Sequence, residues 1–169
     1  QLADSGVVRH PWLFLAARLL RPRTALQAGE YRFEKSASPA QVFDRIARGD
    51  VVTFEVTIPE GSNRWDIARI LEEQQILPAA RFLEATADAT LVRDLAPGAS
   101  SLEGFLFPAT YRFPRRVSPL SVATLMTKRF RQAWRDAKPP TGANVLRVLT
   151  LASLVEKETG VADERGLVA

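Results

Sequence analysis

Val51-Val52-Thr53-Phe54-Glu55-Val56-Thr57-Ile58-Pro59-Glu60-Gly61-Ser62 decides the fold class. Val52, Phe54, Val56 and Ile58 alternate with Val51, Thr53, Glu55 and Thr57, the period of two that a half-buried strand requires. Pro59-Glu60-Gly61-Ser62 reads as a turn and a helix cap, because Trp65, Ile67, Ala68, Ile70 and Leu71 follow at helical spacing. Upstream, Ser38-Pro39 opens a helix with Ser at the N-cap and Pro at the first position. That helix carries Val42, Phe43 and Ile46 and stops at Gly49. Earlier still, Tyr31 and Phe33 alternate as a strand does within 26–33, and Pro11 to Leu20 reads as a short helix. Downstream a further helix is expected over 79–86. Helix, strand, helix, strand, helix is an α+β pattern with small mixed or antiparallel sheets. The helix after Ser62 has no second, basic recognition helix behind it, so it reads as a packing element rather than half of a helix-turn-helix.

Ala96-Pro97-Gly98-Ala99-Ser100-Ser101 is a small-residue linker and the best candidate boundary. Beyond it, the stretch from Leu102 to Phe113 is dense in aromatics. It fits either a strand and turn that pack Phe105, Phe107, Tyr111 and Phe113 inward, or a wall on which sugars stack. Ser118-Pro119 repeats the cap signal and starts a long helix that points Val122, Leu125, Met126, Phe130 and Trp134 toward a core. Lys138-Pro139-Pro140-Thr141-Gly142 breaks it. A last helix is expected over 143–159, ending at Gly160.

The 169 residues, 46% hydrophobic and 25% charged, suit one ordinary or two small globular domains with a real core. A net charge of +4 favours an anionic partner, but the basic residues are scattered and form no nucleic-acid arm. With no cysteine there are no disulfides, zinc ribbons or thiol nucleophiles. The one histidine, His10, sits before Pro11 and Trp12, where it reads as a surface or capping residue. Chemistry therefore falls to carboxylates, hydroxyls, Lys or Arg. Residues 11–20 form the longest apolar stretch, too short and too charged for a span of roughly 20 apolar residues. Gln1-Leu2-Ala3-Asp4 opens without a basic n-region, so the chain reads as a soluble portion with any anchor or signal left outside it.

On a helical wheel of about 100° per residue, Val145, Val148, Leu149, Ala152 and Val155 share one broad apolar arc, and Glu156 falls inside it. A carboxylate aimed at an apolar surface must be paired, protonated or useful, since burying it charged is costly. Spacing alone leaves two readings open. One is a buried ion pair. The other is a desolvated general acid of the kind glycoside cleavage uses near neutral pH.

Two long segments carry a resemblance. Leu102-Glu103-Gly104-Phe105-Leu106-Phe107-Pro108-Ala109-Thr110-Tyr111 is similar to the E-G-x-x-x-P-x-T-[YW] signature of MltG/YceG-like endolytic murein transglycosylases. Leu151-Ala152-Ser153-Leu154-Val155-Glu156-Lys157-Glu158-Thr159 resembles that family's A-S-[IL]-V-E-K-E-T segment, whose first Glu is the catalytic one. Ala28-Gly29-Glu30-Tyr31, Thr57-Ile58-Pro59-Glu60-Gly61 and Glu164-Arg165 match in order as well. Ala109 stands where the family commonly has Asp, so no acid is assigned there.

The resemblance implies a LysM-like module over 1–50 with its first strand missing, a second α+β segment and linker over 51–101, and the N-terminal part of a lysozyme-like catalytic domain over 102–169. It implies endolytic cleavage of the MurNAc–GlcNAc bond of nascent peptidoglycan to 1,6-anhydro ends, with Glu156 as general acid and then base. Glu103, Tyr111, Ser153 and Glu158 would shape the substrate site. No metal or organic cofactor is implied. The expected partners are peptidoglycan glycan strands and cell-wall synthases, not nucleic acid. The expected location is the extracytoplasmic face of the bacterial inner membrane, through an N-terminal anchor outside this chain. Family members also continue past Ala169 with further active-site segments, so the site is expected to be incomplete here and the fragment alone inactive. Two other readings stand beside this one: a non-catalytic glycan-binding module, and a pyridoxal-phosphate lyase of the aminodeoxychorismate type. The second would need a Schiff-base lysine and a phosphate cradle, and Lys35, Lys128, Lys138 and Lys157 have no glycine-rich loop beside them.

Overall fold

The computed structural model describes residues 19, 30–33 and 37–158, the side chain of residue 158 excepted. The expected helix over 11–20 (Leu19 apart), the first part of the strand over 26–33, the stop at Gly160 and the Glu164-Arg165 pair lie outside the described residues. The chain forms two compact units, 1–54 and 55–169. The architecture is α+β, with five α-helices and one two-stranded sheet among the described residues.

In the first unit, α1 spans Pro39–Arg48. Ser38 caps it as its sequence dictates. The Ser38 hydroxyl accepts from the Gln41 N–H, and the Gln41 side chain accepts from the Ser38 N–H. Val42 and Phe43 are its buried residues, and Gly49 ends it. Tyr31 and Phe33 are half-buried while Glu30 and Arg32 are exposed, so the expected alternation is present. Residues 30–33 nevertheless form no strand. A backbone bond, Val52 N–H to Glu30 O at 2.8 Å, joins this segment to residues 51–52, and Arg45 stacks 5.2 Å over the Phe33 ring.

The strand read over 51–58 is β1, trimmed to Thr53–Thr57. It pairs with β2, Thr110–Pro114, and the contacts Glu55–Arg112 and Thr57–Thr110 fix the register as antiparallel. Val56, Ile58, Tyr111 and Phe113 are buried from the paired segments. Two helices follow β1: α2, Arg64–Glu73, and α3, Ala79–Thr86. The expected cap at Ser62 is displaced by one residue. Asn63 accepts from the Trp65 and Asp66 N–H groups, and Ser62 instead donates to Pro59 O at 2.8 Å, bracing the turn. Of the residues read at helical spacing, the helix buries only the narrow stripe Ile67, Ala68 and Leu71, and Trp65 is 58% exposed.

Helix α4, Pro119–Asp136, is capped by Ser118 as expected. Val122, Ala123, Met126, Thr127 and Phe130 are buried along it, whereas Leu125 is 37% exposed and Trp134 half-buried. Phe105 meets Phe130 edge-on at 5.2 Å, and Arg131 clamps Asp94 and the Leu91 carbonyl. These contacts hold the 90–106 segment over α4. After the 137–144 turn comes α5, Val145–Glu158, which carries Glu156. No helix among the described residues is long and apolar enough to cross a membrane.

Candidate functional site

The wheel for α5 holds in part. Val145 is buried and Leu149 and Glu156 are part-buried, but Val148 is 41% exposed and Ala152 is exposed too. The seated stripe is therefore narrower than the apolar arc and runs through Val145, Leu146, Leu149 and Glu156. Its seat is glycine backbone. A side-chain carbon placed on Gly98 would stand 3.3 Å from Leu146 Cδ1, and one on Gly104 would stand 3.6 Å from Leu149 Cδ1. The third glycine meets the carboxylate itself: a carbon on Gly61 would stand 3.7 Å from Glu156 Oε1 and 3.9 Å from its Cγ. The approach is tight at Gly98, while at Gly104 and Gly61 an added carbon would lie in ordinary van der Waals contact.

Glu103 reaches the end of the same turn. Its Oε2 accepts from the Arg64 backbone N–H at 3.1 Å, one of the orphan donors of the α2 N-terminus, and lies 3.8 Å from Arg64 Nε. The Arg64 guanidinium is largely enclosed, with Nε and Nη1 buried and without a hydrogen-bond acceptor. It lies 4.8 Å over the Trp65 ring, so the cation is held by a carboxylate and an aromatic face rather than by hydrogen bonds. Glu103 and Glu156 are thus brought to two ends of one short turn, Glu156 at Gly61 and Glu103 at Arg64.

The other expected site residues lie elsewhere on the structure. Tyr111 is buried, stacks on Phe113 at 5.6 Å, and donates its hydroxyl to Phe107 O at 2.5 Å. Burial, partly offset by Arg129, pushes its phenol up to about 12. Phe105 and Phe113 are buried with it, and Phe107 is half-buried, so these aromatics pack largely into the core. Above Tyr111 an open cleft of about 500 Å³ is lined by Glu55, Thr110, Arg112, Leu125 and Arg129, and Glu156 does not line it. Ser153 is exposed and donates to Thr150 O within its own helix. Glu158 closes α5. Gly61 and Arg64 were not singled out as site residues from sequence. The only signal was the P-E-G at 59–61, and its contact partner lies far along the chain.

A part-buried carboxylate near the end of α5 thus lies against a braced turn that a second carboxylate anchors. The chain belongs to the YceG-like family, which matches residues 1–169. It is 29% identical to an endolytic murein transglycosylase of Streptococcus pneumoniae (serotype 2, strain D39) over 99% of this chain and 36% of that protein. It is 23% identical to an endolytic murein transglycosylase of Bacillus subtilis (strain 168) over 86% of this chain and 46% of that protein. A crystal structure of a yceG-like protein from Listeria monocytogenes superposes with a TM-score of 0.55 and 28% identity, covering 97% of this chain and 60% of that one. The chain thus spans between a third and a half of the length of these two curated relatives.

Proposed function

We propose that this chain is part of a lytic murein transglycosylase that cuts the MurNAc–GlcNAc bond inside peptidoglycan strands, with Glu156 as its acid and base. The Glu156 carboxyl protonates the glycosidic oxygen and the bond to the anomeric carbon breaks. The resulting carboxylate then takes the proton of the muramoyl 6-hydroxyl, whose oxygen closes on the anomeric carbon as a 1,6-anhydro ring. The carboxyl is regenerated, no water is consumed, and one acid suffices for both transfers. The observation that carries this reading is the placement of Glu156, part-buried against the Gly61 turn. The naming of relatives as endolytic murein transglycosylases supports it.

On this reading residues 102–169 belong to a lysozyme-like catalytic region and residues 1–50 to a LysM-like glycan-binding module. Glu103 holds the turn facing Glu156, and Tyr111, Ser153 and Glu158 shape the surroundings. The substrate is the glycan strand on the extracytoplasmic side. The chemistry is tested by incubating the intact protein with uncrosslinked glycan strands in ¹⁸O-labelled water. Anhydro-ended products without label are expected. Reducing ends that carry ¹⁸O would mean that water, not the 6-hydroxyl, attacks.

A further inference from the structure

The geometry points to the cleft above Tyr111 as a subsite for carboxylates of the peptide that peptidoglycan strands carry, with Arg129 as the anchoring cation. This rests on the reading of peptidoglycan as the substrate. It adds a second place of contact to the Glu156 site, one that holds peptide rather than sugar.

At about 500 Å³ the cleft has the size of a small-ligand site. Its two arginines differ in state. Arg112 is already engaged, since its Nε and Nη2 both donate to Glu55 Oε1, at 2.9 and 2.6 Å. Arg129 lines the same cleft and makes no hydrogen bond or ion pair among the described residues, so its donors remain for a ligand. Exposed Lys128 and Arg135 continue the positive face along α4, where they line a neighbouring hollow with Arg129 and Leu125. An arginine fork matches a carboxylate through a bidentate pair of hydrogen bonds. Beside it, Leu125, 37% exposed, offers an apolar wall to a small side chain.

Cleft and acid lie along one stretch of chain. Glu55 lines the cleft from β1, and Gly61, beside the Glu156 carboxyl, follows six residues later. Six residues reach at most about 22 Å, and the braced turn at 59–62 shortens that path. An extended peptide of about five residues covers roughly 17 Å beyond the sugar that bears it. A strand bound at Glu156 can therefore lay its peptide in the cleft.

The probe is the disaccharide GlcNAc–MurNAc with its peptide attached, which lacks the bond that is cut. In calorimetric titration of the intact protein, Arg129→Gln is expected to weaken its binding about tenfold, and Arg129→Lys to recover part of the loss. Arg81→Gln, an equal loss of charge on α3, is expected to stay within about twofold of wild type. The same disaccharide without its peptide should bind all four proteins alike, and thermal unfolding should show that all four fold. Wild-type affinity of Arg129→Gln for the peptide-bearing probe overturns the inference, as does failure of the wild-type protein to bind that probe. An equal Arg129 effect on the peptide-free disaccharide or on inorganic phosphate overturns it too, because the cleft would then take any anion. The enzymatic reading fails separately: Arg129-dependent peptide binding in a protein that releases no anhydro ends keeps the subsite and removes the chemistry.

Discussion

Helix α4 turns Val122, Ala123, Met126 and Phe130 into the core, while α5 buries only Val145 and leaves Val148, Leu151 and Leu154 facing out. Both helices are rich in apolar residues, yet they use them differently. In α4 the stripe is closed by Phe105 and the 90–106 segment, with Arg131 clamping Asp94 across the edge. In α5 the contact is made through a narrow line resting on Gly98, Gly104 and Gly61, and that line ends in a carboxylate. The first arrangement gathers hydrophobic free energy. The second gains little of it and fixes a position. The acid proposed for catalysis is thus carried by the helix that contributes less to the core.

The comparison breaks first at its strongest point. Met126→Ala in α4 removes a fully buried side chain and is expected to cost about 2–5 kcal/mol in urea unfolding. A loss below about 1 kcal/mol would mean that α4 is not the core helix. Glu103→Ala comes next. It strips the acceptor from the Arg64 N–H and the carboxylate from a largely enclosed guanidinium, with an expected cost of about 1–3 kcal/mol, part of which Glu103→Gln restores. Equal loss in both variants would show that the hydrogen bond contributes nothing.

A pH prediction belongs to the core side as well. The Tyr111 phenol ionises near 10 in the unfolded chain and is raised to about 12 by burial, so between those values the unfolded state holds fewer protons. Its contribution is therefore complete below pH 10 and is lost as pH rises toward 12. Alkaline unfolding followed by circular dichroism should show that slope, reduced in Tyr111→Phe; an unchanged slope would remove Tyr111 as its source. The smallest effect is expected on α5. Leu154→Ala, at a residue 56% exposed, should change stability by no more than about 0.5 kcal/mol, and a loss several times larger would mean that this face is packed.

The parts of this structure that could be read from sequence are those governed by near neighbours. Ser38-Pro39 and Ser118-Pro119 cap their helices as expected, because capping is a matter of three residues. The alternation from Val52 to Ile58 survives as β1 and the buried residue after it. The helical spacing from Trp65 to Leu71 gave the helix but not which of its residues are buried, and the Trp65 ring meets Arg64 instead of the core. The seat of α5 was not legible. A helix apolar on most of its surface does not announce which line will be buried, and the glycines beside it come from two distant segments, the 59–62 turn and 98–104. Glu156 was singled out by the wheel and by its motif, but that the P-E-G turn would be its neighbour depended on tertiary packing.

Glu156 carries the proposed chemistry, and its exchange for the isosteric amide is the direct test. In the intact protein, Glu156→Gln is expected to unfold at the wild-type temperature while release of 1,6-anhydro-ended muropeptides falls by about a thousandfold or more. Release of those products at the wild-type rate by a folded Glu156→Gln variant would contradict it.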